Sequence, residues 1–182
     1  MSQAPEFAAH HRPFDGEWQS LDEHLLGVAA LASGFAAKLG LADQGELLGL
    51  LHDLGKYSQD FQAYLKSATG HLNPDEDEEW VDATSLRGKV DHSTAGAQLI
   101  WEKLAAKGQK ERVVAQLLAL CIASHHSGLI DCLTSDTANT GSDNFGRRIG
   151  KDRNKTHAEE ALGNWDVQVK QRASELFSNS SL

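Results

Sequence analysis

Residues 47–65 are LLGLLHDLGKYSQDFQAYL, and this stretch decides how the chain is interpreted. It begins as a leucine-rich helix of the kind that is buried in a core, and His52 and Asp53 stand side by side at its end. An ionised carboxylate in an apolar environment is costly unless a cation accompanies it. A metal ion at this helix end would be that cation. An ion pair between Asp53 and Lys56 is the alternative that needs no metal.

A further histidine lies in an earlier apolar segment, SLDEHLLGVAALASGFAAKLG (20–40). His24 shares a helical face with Val28, Leu31 and Phe35, so the spacing predicts that it points inward. Taken alone, an inward histidine is most simply a core residue bonded to a backbone carbonyl. It counts as a candidate metal ligand only if other ligands lie near it.

Three more histidines lie at the boundaries of predicted helices. His92 precedes a helix in DHSTAGAQLI (91–100), and His125 and His126 end the apolar stretch KERVVAQLLALCIASHHSG (110–128). Neighbouring side chains on a helix diverge by about 100°. Both members of the pair can reach one ion if the helix ends there, as the glycine after them indicates.

Together these residues form a set of five imidazoles and one carboxylate. A catalytic metal usually takes about three protein ligands, so the set exceeds the needs of one ion. A carboxylate can bridge two ions, and imidazole suits zinc, iron, nickel, cobalt and manganese. We therefore predict two divalent transition-metal ions (Mn, Ni, Co, Fe or Zn, with Mg as a further option) bridged by Asp53. His10, His11, His71 and His157 are left outside the set.

Composition limits the class of protein. The chain has 182 residues, 40% hydrophobic and 24% charged, as expected for one soluble globular domain. Its net charge of −9 argues against a large nucleic-acid surface. The acidic run DEDEE (75–79) is expected to be a solvated loop. The basic run RRIGKDRNK (147–155), which begins with Arg147 and Arg148, is the best candidate for phosphate contacts.

Targeting signals are not visible in the sequence. There is no signal-peptide pattern at the N-terminus, and no apolar run approaches the roughly 20 residues of a membrane span. The two cysteines, Cys121 and Cys132, indicate no disulfide framework. We expect a cytoplasmic protein with no membrane partner.

Helix signals recur along the chain, while strand signals are scarce. Capping-box pairs predict helix starts at Ser20, Asp43 and Thr156, and Ser58 and Ser93 (or Thr94) are further caps. Polar segments 69–90 and 131–155 are predicted to be long loops. The expected fold is all-α, a bundle of five or six main helices.

Three motifs carry a resemblance to a known family. HDLGKYSQDFQAYL (52–65), DHSTAGAQLI (91–100) and SHHSGLID (124–131) resemble successive motifs of the HD nuclease domain of the type I CRISPR-associated nuclease-helicase. That domain belongs to the HD phosphohydrolase superfamily. The resemblance runs from about Glu23 to Asp131, and it implies an HD-domain helical bundle.

The resemblance also assigns roles. It implies a first ion held by His24, His52 and Asp53, and a second held by Asp53, His92, His125 and His126. It implies catalytic roles for Asp53 and for Lys56, which would neutralise charge on the phosphate or orient the attacking water. Ser93 accompanies His92 in the motif and, with Arg147 and Arg148, is a candidate substrate-binding residue.

The implied activity is metal-dependent hydrolysis of phosphodiester bonds in single-stranded DNA during CRISPR antiviral interference. The implied partners are single-stranded DNA, a helicase domain or subunit, and a CRISPR-guided surveillance complex, and we expect a monomer. Two alternatives remain open. One is an HD phosphohydrolase acting on nucleotides or cyclic dinucleotides, and the other is a catalytically inactive metal-binding interaction module.

One feature departs from the family pattern. The family carries a later aspartate, beyond the helix predicted at 156–177, that completes the binding of the first ion. This sequence ends at SELFSNSSL, and the nearby acids Asp166 and Glu160 do not lie in a matching context. We therefore expect residues 1–182 to be a single HD nuclease domain without its C-terminal helices, with a weaker first metal position.

Overall fold

Nine α-helices, two short 3₁₀-helices (Ala37–Leu39 and Leu54–Tyr57) and one two-stranded sheet account for the regular structure in the described residues, 3–126, 128–132 and 142–179, of the computed structural model. Six of the helices are ten residues or longer, which confirms the expectation of an all-α bundle with five or six main helices. In chain order they are α1 (Leu21–Ala36), α2 (Ala42–Leu51), α3 (Gln59–Ala68), α4 (Ala83–Leu86), α5 (Thr94–Ala105), α6 (Gln109–Ser124), α7 (Asn144–Ile149), α8 (Ala158–Asn164) and α9 (Val167–Ser178).

An N-terminal hairpin precedes the bundle and was not predicted. Strand β1 (Ala8–Arg12) pairs antiparallel with β2 (Glu17–Ser20), and the register shifts between Ala8 and His10. Neither strand has a long apolar alternation that would reveal it. The helical bundle stabilises the hairpin, because the buried side-chain amide of Gln62 forms hydrogen bonds with both the N–H and the carbonyl group of Ala8.

Two glycines allow helices to approach α2 closely. A Cβ on Gly49 would lie 2.3 Å from the Cα of Ala29 in α1, and a Cβ on Gly96 of α5 would lie 1.9 Å from the carbonyl oxygen of Leu51. No larger residue fits at either position without a shift of the helices. These contacts hold the end of α2 between α1 and α5, where His52 and Asp53 follow.

The core lies between these helices and α6 and α9. Its apolar side chains are nearly inaccessible to water, and burial of each large one stabilises the fold by about 1.5–3 kcal/mol. The largest of them are Leu21, Leu25, Leu47, Leu50, Leu51, Leu54, Tyr57, Ile100, Leu104, Ile122 and Leu176.

The predicted helix caps are confirmed at two serines and differ from the structure at other positions. Ser20 and Ser58 accept hydrogen bonds from the third residue of α1 and α3, as predicted. Ser93 is the N-cap residue of α5, but the carboxylate of Asp91 accepts the Thr94 N–H in its place. The predicted start at Asp43 was wrong, since α2 begins at Ala42.

The helix predicted at 156–177 is broken in two. α8 ends at Asn164, and α9 begins after Asp166, whose side chain accepts the backbone N–H groups of the next turn. The predicted cap at Thr156 was wrong because its hydroxyl donates instead to Gln98 Oε1, 2.7 Å away. A tertiary hydrogen bond therefore replaced a local one.

The two predicted loops contain short helices. α4 interrupts the segment 69–90, and α7 interrupts 131–155 and includes Arg147 and Arg148. The part of the second loop at 133–141 lies outside the described residues. Asp143 caps α7 by accepting the Gly146 N–H at 2.7 Å, so a local polar contact builds a helix in a sequence that looked irregular.

The apolar face of α1 differs from the predicted face. Leu21, Leu25 and Ala29 are buried, whereas Leu31 and Phe35 are 65% and 67% exposed.

Among the described residues, no helix is long and apolar enough to cross a membrane.

Candidate metal centre

Five histidines and one aspartate from four separate helices meet at one point of the bundle. We call this set the histidine cluster: His24, His52, Asp53, His92, His125 and His126. His24 comes from the second turn of α1. His52 and Asp53 follow α2 directly, as His125 and His126 follow α6, and His92 precedes α5. Helix ends are suited to this role because the chain leaves the core there and can present polar groups.

Asp53 lies at the centre of the cluster and is 2% exposed. Its Oδ2 lies 3.3 Å from His24 Nε2 and 3.2 Å from His52 Nε2. Its Oδ1 faces the other side, at 3.2 Å from His125 Nε2, 3.7 Å from His92 Nε2 and 3.9 Å from His126 Nε2. Each carboxylate oxygen is thus directed to its own group of imidazoles.

Backbone carbonyls fix the orientation of three of the rings. Nδ1 of His52 lies 2.8 Å from Gly49 O, Nδ1 of His92 lies 3.2 Å from Val90 O, and Nδ1 of His125 lies 2.7 Å from Ile122 O. A carbonyl can only accept, so Nδ1 carries the proton in each bond. In the neutral ring, Nε2 therefore presents its lone pair toward Asp53.

This arrangement fits a divalent cation. Imidazole lone pairs aimed at a carboxylate repel it unless a positive charge lies between them. The buried Nε2 of His92 has no hydrogen-bond partner among the described residues, so this nitrogen could bind a metal ion. Hydrogen bonds from the far ring nitrogen to backbone carbonyls are also typical of metal-ligating histidines.

Protonation states in the cluster favour metal binding. Burial lowers the pKa of His92 to about 4, and partial burial together with the neighbouring His125 lowers the pKa of His126. Burial alone would raise the pKa of Asp53, but the ammonium of Lys56, 2.9 Å from Oδ2, opposes this effect, and that pKa lies well below its usual range. Neutral imidazoles and an ionised carboxylate at neutral pH are the forms that bind metal.

Lys56 lies beneath Asp53 rather than at the open side of the cluster. Its ammonium is 2.9 Å from Asp53 Oδ2 and donates to the carbonyl of Ala9 at 3.2 Å, and the residue is only 3% exposed. The sequence had offered this ion pair as an alternative to a metal. The structure contains this ion pair, and the imidazoles of the histidine cluster surround the same carboxylate, so the ion pair and a metal site are compatible.

His10 was left out of the predicted set, yet it lies beside the cluster. One ligand atom each of His10, His24 and Asp53 lie within 4.8 Å of one another, and the rings of His10 and His24 are 4.8 Å apart. Partial burial of the ring and the nearby charge of Lys56 lower the pKa of His10 to about 4. Sequence patterns gave no signal for it, because its position depends on a hairpin held by distant residues.

The two acids considered as late ligands have other roles. Asp166 caps α9, and Glu160 accepts the backbone N–H of Gln59 at 2.9 Å. In the described residues, the ligand groups that include Asp53 are completed by histidines alone.

A basic cavity of about 710 Å³ adjoins the His92 and His126 side of the cluster. Four basic residues and one acid line it, namely Arg87, Lys89, Arg148, Lys151 and Asp91. Arg148 Nη2 donates to Ser93 Oγ at 2.8 Å, and the buried Nε of Arg148 has no partner among the described residues. Arg147 is exposed and lines a neighbouring cavity of about 530 Å³.

The predicted substrate-binding residues are therefore only partly brought together. Ser93 and Arg148 touch each other beside the cluster, while Arg147 faces the second cavity. Sequence reasoning missed Arg87 and Lys89, which come from the predicted 69–90 loop and gave no motif.

Comparison with known proteins agrees with the motifs. No curated protein matches this chain. The family described as "Cas3, HD domain" matches residues 8–180, which include the hairpin, every residue of the histidine cluster and the basic cavity. The match covers nearly the whole sequence and confirms the resemblance inferred from the three motifs. The chain belongs to the Cas3 HD-domain family, the HD domain of the type I CRISPR nuclease.

Proposed function

We propose that this chain is a two-metal HD nuclease that hydrolyses phosphodiester bonds of single-stranded DNA in CRISPR interference. The observation that carries the proposal is the division of Asp53 between two groups of imidazoles, with Oδ2 toward His24 and His52 and Oδ1 toward His92 and His125. A bridging carboxylate between two ions would have this arrangement.

The residues would divide into two ligand sets that share Asp53. The first set is His24, His52 and Asp53, and the second is Asp53, His92, His125 and His126. Nitrogen and carboxylate donors suit Mn, Ni, Co, Fe or Zn. Divalent ions bound there would polarise the scissile phosphate and lower the pKa of a water molecule, which supplies a hydroxide nucleophile near neutral pH.

Lys56 would act on Asp53 rather than on the substrate. Its ammonium is 3% exposed and already bonded to Asp53 Oδ2 and to the carbonyl of Ala9, so it has little access to a phosphate. It would keep the carboxylate ionised and fixed between the two ligand sets. Lys56 is then a positioning residue that acts through Asp53. It would not contact the phosphate or the attacking water itself.

The basic cavity would hold the strand next to the second ligand set. His126, at 58% side-chain exposure, lies at the boundary between cluster and cavity. The partly exposed guanidinium of Arg148 and the exposed side chain of Lys89 line this cavity and would contact phosphate oxygens. A cavity of about 710 Å³ is in the range that holds one small ligand, so it fits a few unpaired nucleotides better than a duplex.

The family and the net charge of the chain indicate which partners it would have. The net charge of −9 disfavours strong binding of DNA by this chain alone. A helicase domain or subunit, recruited by the CRISPR-guided surveillance complex, would deliver the single strand to the cavity. We expect the chain itself to be a cytoplasmic monomer and residues 1–182 to form one HD domain.

A cleavage assay tests the proposal. Purified protein is stripped with chelator, reloaded with Mn²⁺, Co²⁺ or Ni²⁺, and given end-labelled single-stranded DNA, duplex DNA, nucleotides and cyclic dinucleotides. We expect cleavage of the single strand only when metal is present, and none by the Asp53→Ala variant. Asp60→Ala is the matched control, because Asp60 is 72% exposed and lies outside the cluster.

Three outcomes would contradict the proposal. Hydrolysis of nucleotides without cleavage of DNA would favour the phosphohydrolase alternative. Metal binding without turnover of any substrate would favour the inactive interaction module. Full activity in Asp53→Ala would exclude the shared carboxylate as the basis of the reaction.

A further inference from the structure

The first ligand set is smaller than the second, and the structure offers a residue that completes it. Only His24, His52 and Asp53 were assigned to the first ion, whereas the second has four protein ligands. Asp166 and Glu160 are both engaged at helix N-termini, so neither supplies a fourth ligand to the first ion. The N-terminal hairpin reaches the same side of Asp53 with an imidazole.

We propose that His10 is a protein ligand of the first metal ion, an inference that rests on the two-metal function proposed above. Ligand atoms of His10, His24 and Asp53 lie within 4.8 Å of one another, a spacing over which one ion can contact all three. The described residues give the His10 ring no hydrogen-bond partner, and its ring meets that of His24 edge to face at 4.8 Å. A nitrogen of His10 is therefore free to bind.

The position of His10 is built by buried polar contacts. Gln62, which is 1% exposed, accepts the N–H of Ala8 at 2.9 Å and donates to the carbonyl of Ala8 at 3.0 Å. Lys56 donates to the carbonyl of Ala9 at 3.2 Å. Ala8 and Ala9, the two residues before His10, are thus held by the side chains of Gln62 and Lys56, which both lie in the 52–65 motif.

The backbone irregularity of β1 directs the imidazole. The register shift falls between Ala8 and His10, and a bulge of this kind commonly redirects a side chain beside a functional site. The next residue, His11, packs instead against Trp18 and His71 and contributes nothing to the cluster. The hairpin therefore presents one histidine to Asp53 and uses the following one for its own packing.

Lys56 links this ligand to the rest of the site. Its single ammonium contacts both Asp53 Oδ2 and the backbone next to His10. The shared carboxylate and the hairpin are consequently held in one fixed relation before any ion binds. Such preorganisation favours a site in which His10 and Asp53 contact the same ion.

A titration with Co²⁺ alone tests the role of His10 without any measurement of cleavage. Chelator-stripped full-length chain is titrated by calorimetry and by visible absorption, and we expect two ions for the wild type. In His10→Ala the first site should weaken by at least about 10-fold, since even loss of a group that only orients a ligand has such an effect. The second site should remain unchanged.

His71→Ala is the matched control, because His71 is also an exposed histidine stacked on another imidazole but lies outside both ligand groups. It should bind two ions as the wild type does. His10→Asn provides the same loss of an imidazole with a polar side chain retained, and circular dichroism verifies that each variant folds.

The outcomes separate the two proposals. Two ions of unchanged affinity in His10→Ala or in His10→Asn would overturn the role of His10 and leave the two-metal function standing. Fewer than two ions in the wild type would overturn the two-metal function and the role of His10 with it. Equal weakening in His71→Ala would mean that the hairpin fold, rather than the His10 nitrogen, supports the ion.

Discussion

Replacing Asp53 by asparagine should destabilise the metal-free protein strongly, although the two side chains have nearly the same shape. Asp53 and Lys56 are 2% and 3% exposed, and their charged atoms are 2.9 Å apart. The substitution leaves the Lys56 ammonium buried without its counter-charge. Breaking a buried pair by removal of one partner costs about 3–5 kcal/mol. The carbonyl of Ala9 still accepts from Lys56, so we expect the lower value, about 3 kcal/mol.

Thermal unfolding in the presence of chelator measures this cost. For a domain of 150–250 residues, 1 kcal/mol shifts Tm by about 2–4 °C, so Asp53→Asn should lower Tm by about 6–12 °C. Asp60→Asn is the matched control. Asp60 is 72% exposed and lies 3.6 Å from His157, and an exposed pair of this kind contributes at most about 1 kcal/mol.

A second substitution isolates the physical cause. Asp53→Asn combined with Lys56→Met removes both charges and should recover much of the lost stability, because no unpaired buried charge remains. The reasoning would be refuted if Asp53→Asn melted within about 2 °C of Asp60→Asn, less than the shift set by one kcal/mol at this chain length. It would also be refuted if the double variant were less stable than Asp53→Asn alone.

Three further predictions follow from the same geometry. Burial lowers the pKa of His92 to about 4, so between pH 6.5 and 4 the unfolded chain binds a proton that the folded chain excludes. His92 should therefore contribute about 3 kcal/mol to the loss of stability of the metal-free protein across that window. Denaturant unfolding of the wild type and of His92→Gln at both ends would measure this contribution, and an equal pH dependence in the two proteins would contradict it. Gly96→Ala should cost about 1–3 kcal/mol by overpacking against the Leu51 carbonyl. Gly163→Ala is its control, since nothing lies within 4 Å of the added methyl group, and equal Tm values for the two variants would refute the close approach. Arg148→Ala should weaken binding of single-stranded DNA and reduce the slope of log K against log salt by about 0.7; an unchanged slope in a fluorescence titration would remove Arg148 from the phosphate contacts.

Features that depend on neighbours in sequence were the ones that could be predicted. The cap at Ser20 and the cap at Ser58 each need only a hydroxyl and a backbone N–H three residues later, so the sequence contains all the information. The polar pair at the end of α2 was visible for a similar reason, because an apolar helix that ends in His52 and Asp53 conflicts with simple burial.

Features that depend on distant residues could not be predicted. The hairpin is held by Gln62, which lies 54 residues from Ala8, and by Lys56, which lies 47 residues from Ala9, and these contacts help to bring His10 to the cluster. The sequence at Thr156 matches a capping box, but the Thr156 hydroxyl donates to Gln98, which lies 58 residues away in the sequence. In both places a tertiary hydrogen bond outweighed a weak local preference.

The depth at which Lys56 is buried was also hidden from the sequence. The resemblance to the HD nuclease motifs implied that Lys56 neutralises charge on the phosphate or orients the attacking water, whereas lysines are rarely fully buried unless paired. The structure buries it under Asp53, where it can hold the carboxylate but not contact a substrate strand. Periodicity similarly predicted that Leu31 and Phe35 of α1 face inward. In the structure they are exposed, and the neighbouring face of α1, with Leu25 and Ala29, packs into the core.

Anomalous diffraction from a crystal of the full chain soaked in Mn²⁺ near neutral pH tests the central claim most directly. The account predicts two ions about 3.5–4 Å apart, with Asp53 between them. One ion should contact His24 and His52, and the other should contact His92 and His125. A single ion, or ions that do not contact Asp53, would contradict the account.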